Sequence, residues 1–171
     1  MDKIEQLIKS HFKMEHLKRK LEGNMAECIL KEEEEGGCTS THKTMGKALL
    51  LIREEGEIMP STLARYLDLK KSSVTSLIDT LEKDGLVCRK NDPSDRRKVL
   101  VSVTKKGIEH INLMWSKAIS IGEKCLVGID DELLDRAIEA QLTLIELHQQ
   151  MYERSVKVAE QKCSPESQTK K

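Results

Sequence analysis

Aromatic side chains are nearly missing from this sequence: one Trp, two Tyr and one Phe make up 2% of 171 residues. Leu, Ile, Val and Met must therefore build the core, and a chain that is 34% charged and this poor in aromatics reads as mostly helical. Long apolar runs are missing as well. The longest clean one, Ala48 to Ile52, falls far short of the roughly 20 residues of a membrane span. No basic-then-apolar leader with a small-residue cleavage site is present, so a cytoplasmic protein with no membrane partner is expected. The five cysteines, Cys28, Cys38, Cys88, Cys125 and Cys163, are odd in number and contain no CxxC, which argues for free thiols rather than a disulfide framework. Neither GxxxxGK[ST] nor GxGxxG occurs, and no nucleophile, base and oxyanion donors stand together. No enzyme activity and no cofactor are expected.

A length near 150 is the usual size of one domain, so a single compact unit is the starting assumption. The net charge of zero hides an asymmetry. Between Ser61 and Gly107 there are eleven Lys/Arg against six Asp/Glu, a net of +5, while the flanks come to −2 and −3. A basic middle between acidic ends is the electrostatic shape of a polyanion-binding module set between helices with another task.

Ile4, Leu7, Ile8, Phe12, Leu17 and Leu21 are spaced for an amphipathic helix to about Leu30, ended by the acidic, glycine-containing run KEEEEGGC. A second helix is predicted from about Lys43 to Glu55. Pro60 suits the first turn of a short third one, because its fixed φ is helical and its missing N–H would be unbonded there. Asp68 follows at a sharp turn and tolerates the left-handed region. A fourth helix, Lys71 to Lys83, buries Val74, Leu77, Ile78 and Leu81, stops at Gly85 and shows Ser72, Ser73, Thr75 and Ser76 on its other face. Leu86 to Lys90 and Val99 to Val103 read as strands joined by the turn formers of NDPSDRRK, giving a hairpin with a basic tip. A fifth helix begins after Thr104 as N-cap and runs to about Val127. The long sixth one follows Gly128 with acids at its start, and a polar tail, 161–171, is expected to be disordered.

Helix, turn, helix and a basic hairpin is an order that lets one helix enter a major groove while the hairpin reaches the adjoining minor groove. At residue level, PSTLARYLDLKKSSVTSLIDTLEKDGLVCRKNDPSDRRKVLVSVTKKG resembles the winged helix-turn-helix of the MarR family of transcriptional regulators over about 50 residues. The wing pattern is met by Asp95, Arg97, Val103 and Thr104, with Val in place of Leu, and LIDTLEKDGL from Leu77 to Leu86 matches the family's end of the recognition helix. The resemblance implies a mainly α fold with a small β-hairpin wing. Residues 43–103 would form the winged helix-turn-helix DNA-binding domain, and 1–35 with 104–160 the N- and C-terminal helical dimerisation region. It implies a homodimeric regulator, a repressor by expectation, that binds double-stranded DNA at a palindromic operator and answers to a small-molecule effector. By position, Lys70 and Lys71 start the recognition helix, Ser72, Ser73, Thr75 and Ser76 face the major groove, Asp95 belongs to the wing pattern, Arg97 enters the minor groove, and Arg96 and Lys98 serve phosphates. Three departures stand out: Lys70 where an N-capping Ser is common, Ser76 and Thr80 where many members carry Arg, and Asp68 for the usual turn Gly.

Other readings stay open beside this one. A winged-helix module for protein interaction, without DNA binding, is suggested by the absent Arg at Ser76 and Thr80. Cys28 and Cys38 flank the acidic linker and could sense oxidants, but nearby glutamates disfavour the thiolate that such chemistry needs. Cys38 and His42 have the spacing of a metal half-site with no second half, so no metal ligand is assigned, and the residues of an effector site are not specified.

Overall fold

The computed structural model describes residues 2–32 and 40–163, with side chains for 2–21 and 43–159. Cys38 and the side chains of Cys28 and His42, with most of the polar tail, lie outside the described residues. Among these residues the order is α1 (Lys3–Glu32), α2 (Ser40–Glu55), β1 (Glu57–Ile58), α3 (Pro60–Tyr66), α4 (Lys71–Lys83), β2 (Val87–Asn91), β3 (Val99–Val103), α5 (Lys105–Cys125) and α6 (Asp131–Cys163). The fold is mainly α with a small antiparallel sheet, as the spacing of apolar residues predicts. By its contacts the chain divides into two units, Met1–Lys117 and Ala118–Lys171.

The first unit holds the core. Leu49 and Ile52 of α2, Leu63 of α3, Val74, Ile78 and Leu81 of α4, Val87 and Val101 of the hairpin, and Ile111 of α5 are fully buried in one cluster. Each such aliphatic side chain contributes about 1.5–3 kcal/mol by leaving water. The sheet order is β1-β3-β2, with Ile58 opposite Val101 and Cys88 opposite Ser102. The two-residue β1 has no sequence counterpart, because a strand that short leaves no alternation to detect.

Both helices of the central pair end on the same device. After α3, Leu69 N–H donates to Ala64 O (2.9 Å) and Asp68 N–H to Arg65 O (3.3 Å), with Asp68 left-handed at φ 52°. After α4, Leu86 N–H donates to Leu81 O (2.8 Å) and Gly85 N–H to Glu82 O (2.9 Å), with Gly85 at φ 72°. These paired 6→1 and 5→2 bonds occupy carbonyls that a helix end leaves open and turn the chain sharply. Leu86 is thereby committed to the helix end, and β2 begins at Val87, one residue later than the apolar run suggests.

Thr104 locks the hairpin to α5. Its hydroxyl donates to Gly85 O (2.6 Å) and accepts from Gly107 N–H (3.0 Å), so it is the N-cap expected, and its own N–H donates to Leu86 O (3.0 Å). Lys106 Nζ adds a bond to Asp84 O at 2.7 Å. In α1, by contrast, the apolar side chains Ile4, Ile8, Phe12, Leu17 and Leu21 are exposed. The second unit contains α6, whose N-terminus is capped by Asp130 Oδ1 accepting from Glu132 N–H at 3.3 Å. Its apolar residues Ile138, Leu142, Ile145, Met151 and Tyr152 are exposed too.

Candidate nucleic-acid interface

Lys70 is the N-cap residue of α4, extended at φ −66° and ψ 148°, and makes no side-chain cap. Its carbonyl accepts Val74 N–H at 3.1 Å. From Lys71 onward the apolar residues at spacings of three and four turn inward, which forces Ser72, Ser73, Thr75 and Ser76 outward, and all four are exposed. The hydroxyls of Thr75, Ser76 and Thr80 donate to the carbonyls four residues back, Lys71 O (3.0 Å), Ser72 O (3.2 Å) and Ser76 O (3.0 Å). In this state the three oxygens face outward as acceptors, since each proton is already used on the helix.

The wing tip is ordered by its two aspartates. Asp92 Oδ1 accepts from Ser94 N–H (2.8 Å), Ser94 Oγ (2.6 Å) and Asp95 N–H (3.4 Å). These bonds, led by the Ser94 hydroxyl, hold the Asp92 carboxyl below its ordinary pKa. Asp95 O accepts Lys98 N–H (2.8 Å) and its Oδ1 accepts Arg97 N–H (3.1 Å), a hydrogen-bonded turn with Arg96 and Arg97 at its two central positions. Asp95 thus shapes the turn that projects both arginines into solvent. Lys98 Nζ lies 3.8 Å from Asp95 Oδ2, an exposed pair that leaves the lysine available.

Helix and wing meet at a shallow recess of about 390 Å³, lined by Met59, Pro60 and Ser61 at the start of α3, Lys71 and Thr75 of α4, and Arg97, Lys98 and Val99 of the wing. Three cations and two hydroxyls converge there with no carboxylate in the lining. A second recess of about 300 Å³ lies between α2 and α4 and takes in Ser73 and Ser76 with Thr44, Met45 and Thr80. Lys70, Ser72, Asp95 and Arg96 line neither recess.

Residues 43–99 match the family model described as MarR family. The organic hydroperoxide resistance transcriptional regulator of Bacillus subtilis (strain 168) is 32% identical over 106 residues, 60% of this chain and 69% of that protein. The chain belongs to the MarR family. The HTH-type transcriptional regulator YcgE of the same organism is 37% identical over 88 residues, 51% of this chain and 57% of the relative. Of the first curated relatives that it matches, this MarR-family chain spans 39% to 64% of the length. Streptococcus pneumoniae FabT, solved in complex with DNA, shares the fold with a TM-score of 0.58 at 18% identity, covering 82% of this chain and 99% of FabT.

Sequence reasoning missed a second group at this surface of the MarR-family protein. Arg89 of β2 donates from Nη2 to Asp79 Oδ1 (2.5 Å), pairs with Glu82 Oε2 through Nη1, and donates its backbone N–H to Glu82 Oε1 (3.2 Å). Burial works against the Arg89 charge, but the two carboxylates outweigh it and its pKa is raised. Asp79 and Glu82 are exposed, so each pair adds only about 0.2–1 kcal/mol of stability. The signal available in the sequence was two acids three apart at the end of a helix whose other exposed residues are uncharged or basic. Their partner lies seven to ten residues on, across a turn that spacing alone does not orient.

Proposed function

We propose that the protein is a DNA-binding transcription regulator that works as a homodimer, with α4 in the major groove and the wing in the adjoining minor groove. The observation that carries this reading is the recess where Lys71 and Thr75 of α4 meet Arg97 and Lys98 of the wing. One phosphate backbone passing there would touch both elements, and base edges would lie under Ser72, Thr75 and Ser76. Membership of the MarR family and the basic stretch around it support the same assignment.

The exposed apolar side chains of α1 and α6 support a dimer built from the helices outside the winged part, in line with the expected division into 43–103 and the flanking regions. A two-fold dimer calls for a palindromic site with half-sites about 10 base pairs apart. Repression, and control by a small effector, rest on the family resemblance.

The test is selection of duplexes from a random library, followed by anisotropy titrations across a salt series. A two-fold symmetric site is expected, with Lys98→Ala reducing the salt slope by about one unit on every sequence. Arg97→Ala should act most on sites with an A·T-rich minor groove. If no duplex is enriched, the DNA-binding reading falls and the protein-interaction module takes its place.

A further inference from the structure

The outer face of α4 is not electrically neutral. At about 100° per residue, Val74, Leu77, Ile78 and Leu81 define the inner side, and Ser72, Ser76, Asp79 and Lys83 lie opposite them. A carboxylate therefore stands in the middle of the surface proposed to meet DNA, with Glu82 one step to the hairpin side. Both acids are held by the Arg89 guanidinium, which comes from β2 and is largely covered.

We propose that Arg89 is a positioning residue for DNA binding: it draws Asp79 and Glu82 onto the hairpin and leaves the cluster with one net negative charge instead of two. The proposal rests on the reading of α4 as the groove-entering helix. Without Arg89, two carboxylates on a helix would be free to turn toward the phosphates, and like-charge juxtaposition of this kind opposes association on any sequence. Salt screens that repulsion, so its cost shrinks as ionic strength rises.

The full chain would be titrated on the selected duplex, with thermal melts alongside. Arg89→Ala is expected to bind at least about tenfold more weakly near 50 mM salt, with a deficit that narrows toward 200 mM. In Arg89→Ala/Asp79→Asn/Glu82→Gln, affinity should return to within about threefold of wild type. Asp79→Asn/Glu82→Gln alone should bind more tightly than wild type at low salt, a readout that survives if Arg89→Ala does not fold. A triple variant no better than Arg89→Ala would overturn the proposal, since Arg89 would then act by packing or by its own phosphate contact. So would a double variant of unchanged affinity. The underlying reading fails in a different way, by wild-type protein that selects no duplex or by Lys98→Ala and Arg97→Ala that bind as wild type does.

Discussion

Gly107→Ala should unfold the junction between the hairpin and α5. A Cβ at this position would lie 2.1 Å from Leu86 O and 2.6 Å from Val103 Cγ1. Reaching even a tight 3.0 Å contact asks the carbonyl to move by roughly 0.9 Å. That carbonyl cannot swing away cheaply, because it accepts Thr104 N–H at 3.0 Å while the N–H of the same residue closes α4 on Leu81 O. Overpacking in a close-packed site costs about 1–3 kcal/mol, and losing one such backbone bond adds about 0.5–1.5. The expected total is about 1.5–4.5 kcal/mol, and at about 2–4 °C per kcal/mol the thermal midpoint should fall by about 3–18 °C. The assay is a melt followed by far-UV circular dichroism, with Gly46→Ala as control. There the added Cβ meets only the mobile end of Met114 (Cε at 2.6 Å), and the gain of about 1 kcal/mol in helix propensity offsets the adjustment. A Gly107→Ala midpoint within 2 °C of wild type would refute the argument from close approach.

Three further outcomes are expected. Asp68→Gly removes a left-handed non-glycine residue and should raise stability by about 0.5–1 kcal/mol in urea titration, with the α3–α4 turn unchanged. The depressed pKa of Asp92 means that its ordering of the wing is complete above the ordinary carboxylate value of 3.8 and is lost as pH falls below it, so wing amide resonances should hold steady from pH 8 to 5 and shift only in stronger acid. Replacing Cys28 and Cys38 together by Ser should leave DNA affinity nearly unchanged with and without mild peroxide, and peroxide-driven release that vanishes in the double variant would establish a redox sensor.

The sequence made α4 legible to the residue, because a 3.6-residue period is unambiguous over thirteen positions and Gly85 punctuates it. Asp68 was readable for a similar reason: few residues tolerate the turn that the pattern demands there. What escaped was non-local. β1 exists because Ile58 and Glu57 pair with Val101 and Ser102 more than forty residues later, and two residues carry no period. The start of β2 was displaced by a helix-capping bond from Leu86. In sequence Arg89 is one basic residue among several on a hairpin, and its two acidic partners lie across a turn. Of the side chains expected to meet DNA, Lys71, Thr75, Arg97 and Lys98 share one recess, while Lys70, Ser72, Asp95 and Arg96 stand apart from it, a distinction that depends on how helix and hairpin approach.

All the buried apolar side chains among the described residues lie between Ala48 and Ile111, and none comes from α1 or α6. Amide exchange should therefore sort the chain by timescale. Protons of α4, β2 and β3 are released only when that core opens as a whole, whereas those of α1 and α6 depend on whatever covers their apolar stripes. Dilution then becomes a probe of assembly: it should quicken exchange in α1 and α6 and leave α4 untouched. On the proposed reading, the surface that meets DNA rests on a core within one subunit, whereas the apolar stripes of α1 and α6 would be covered by a second copy.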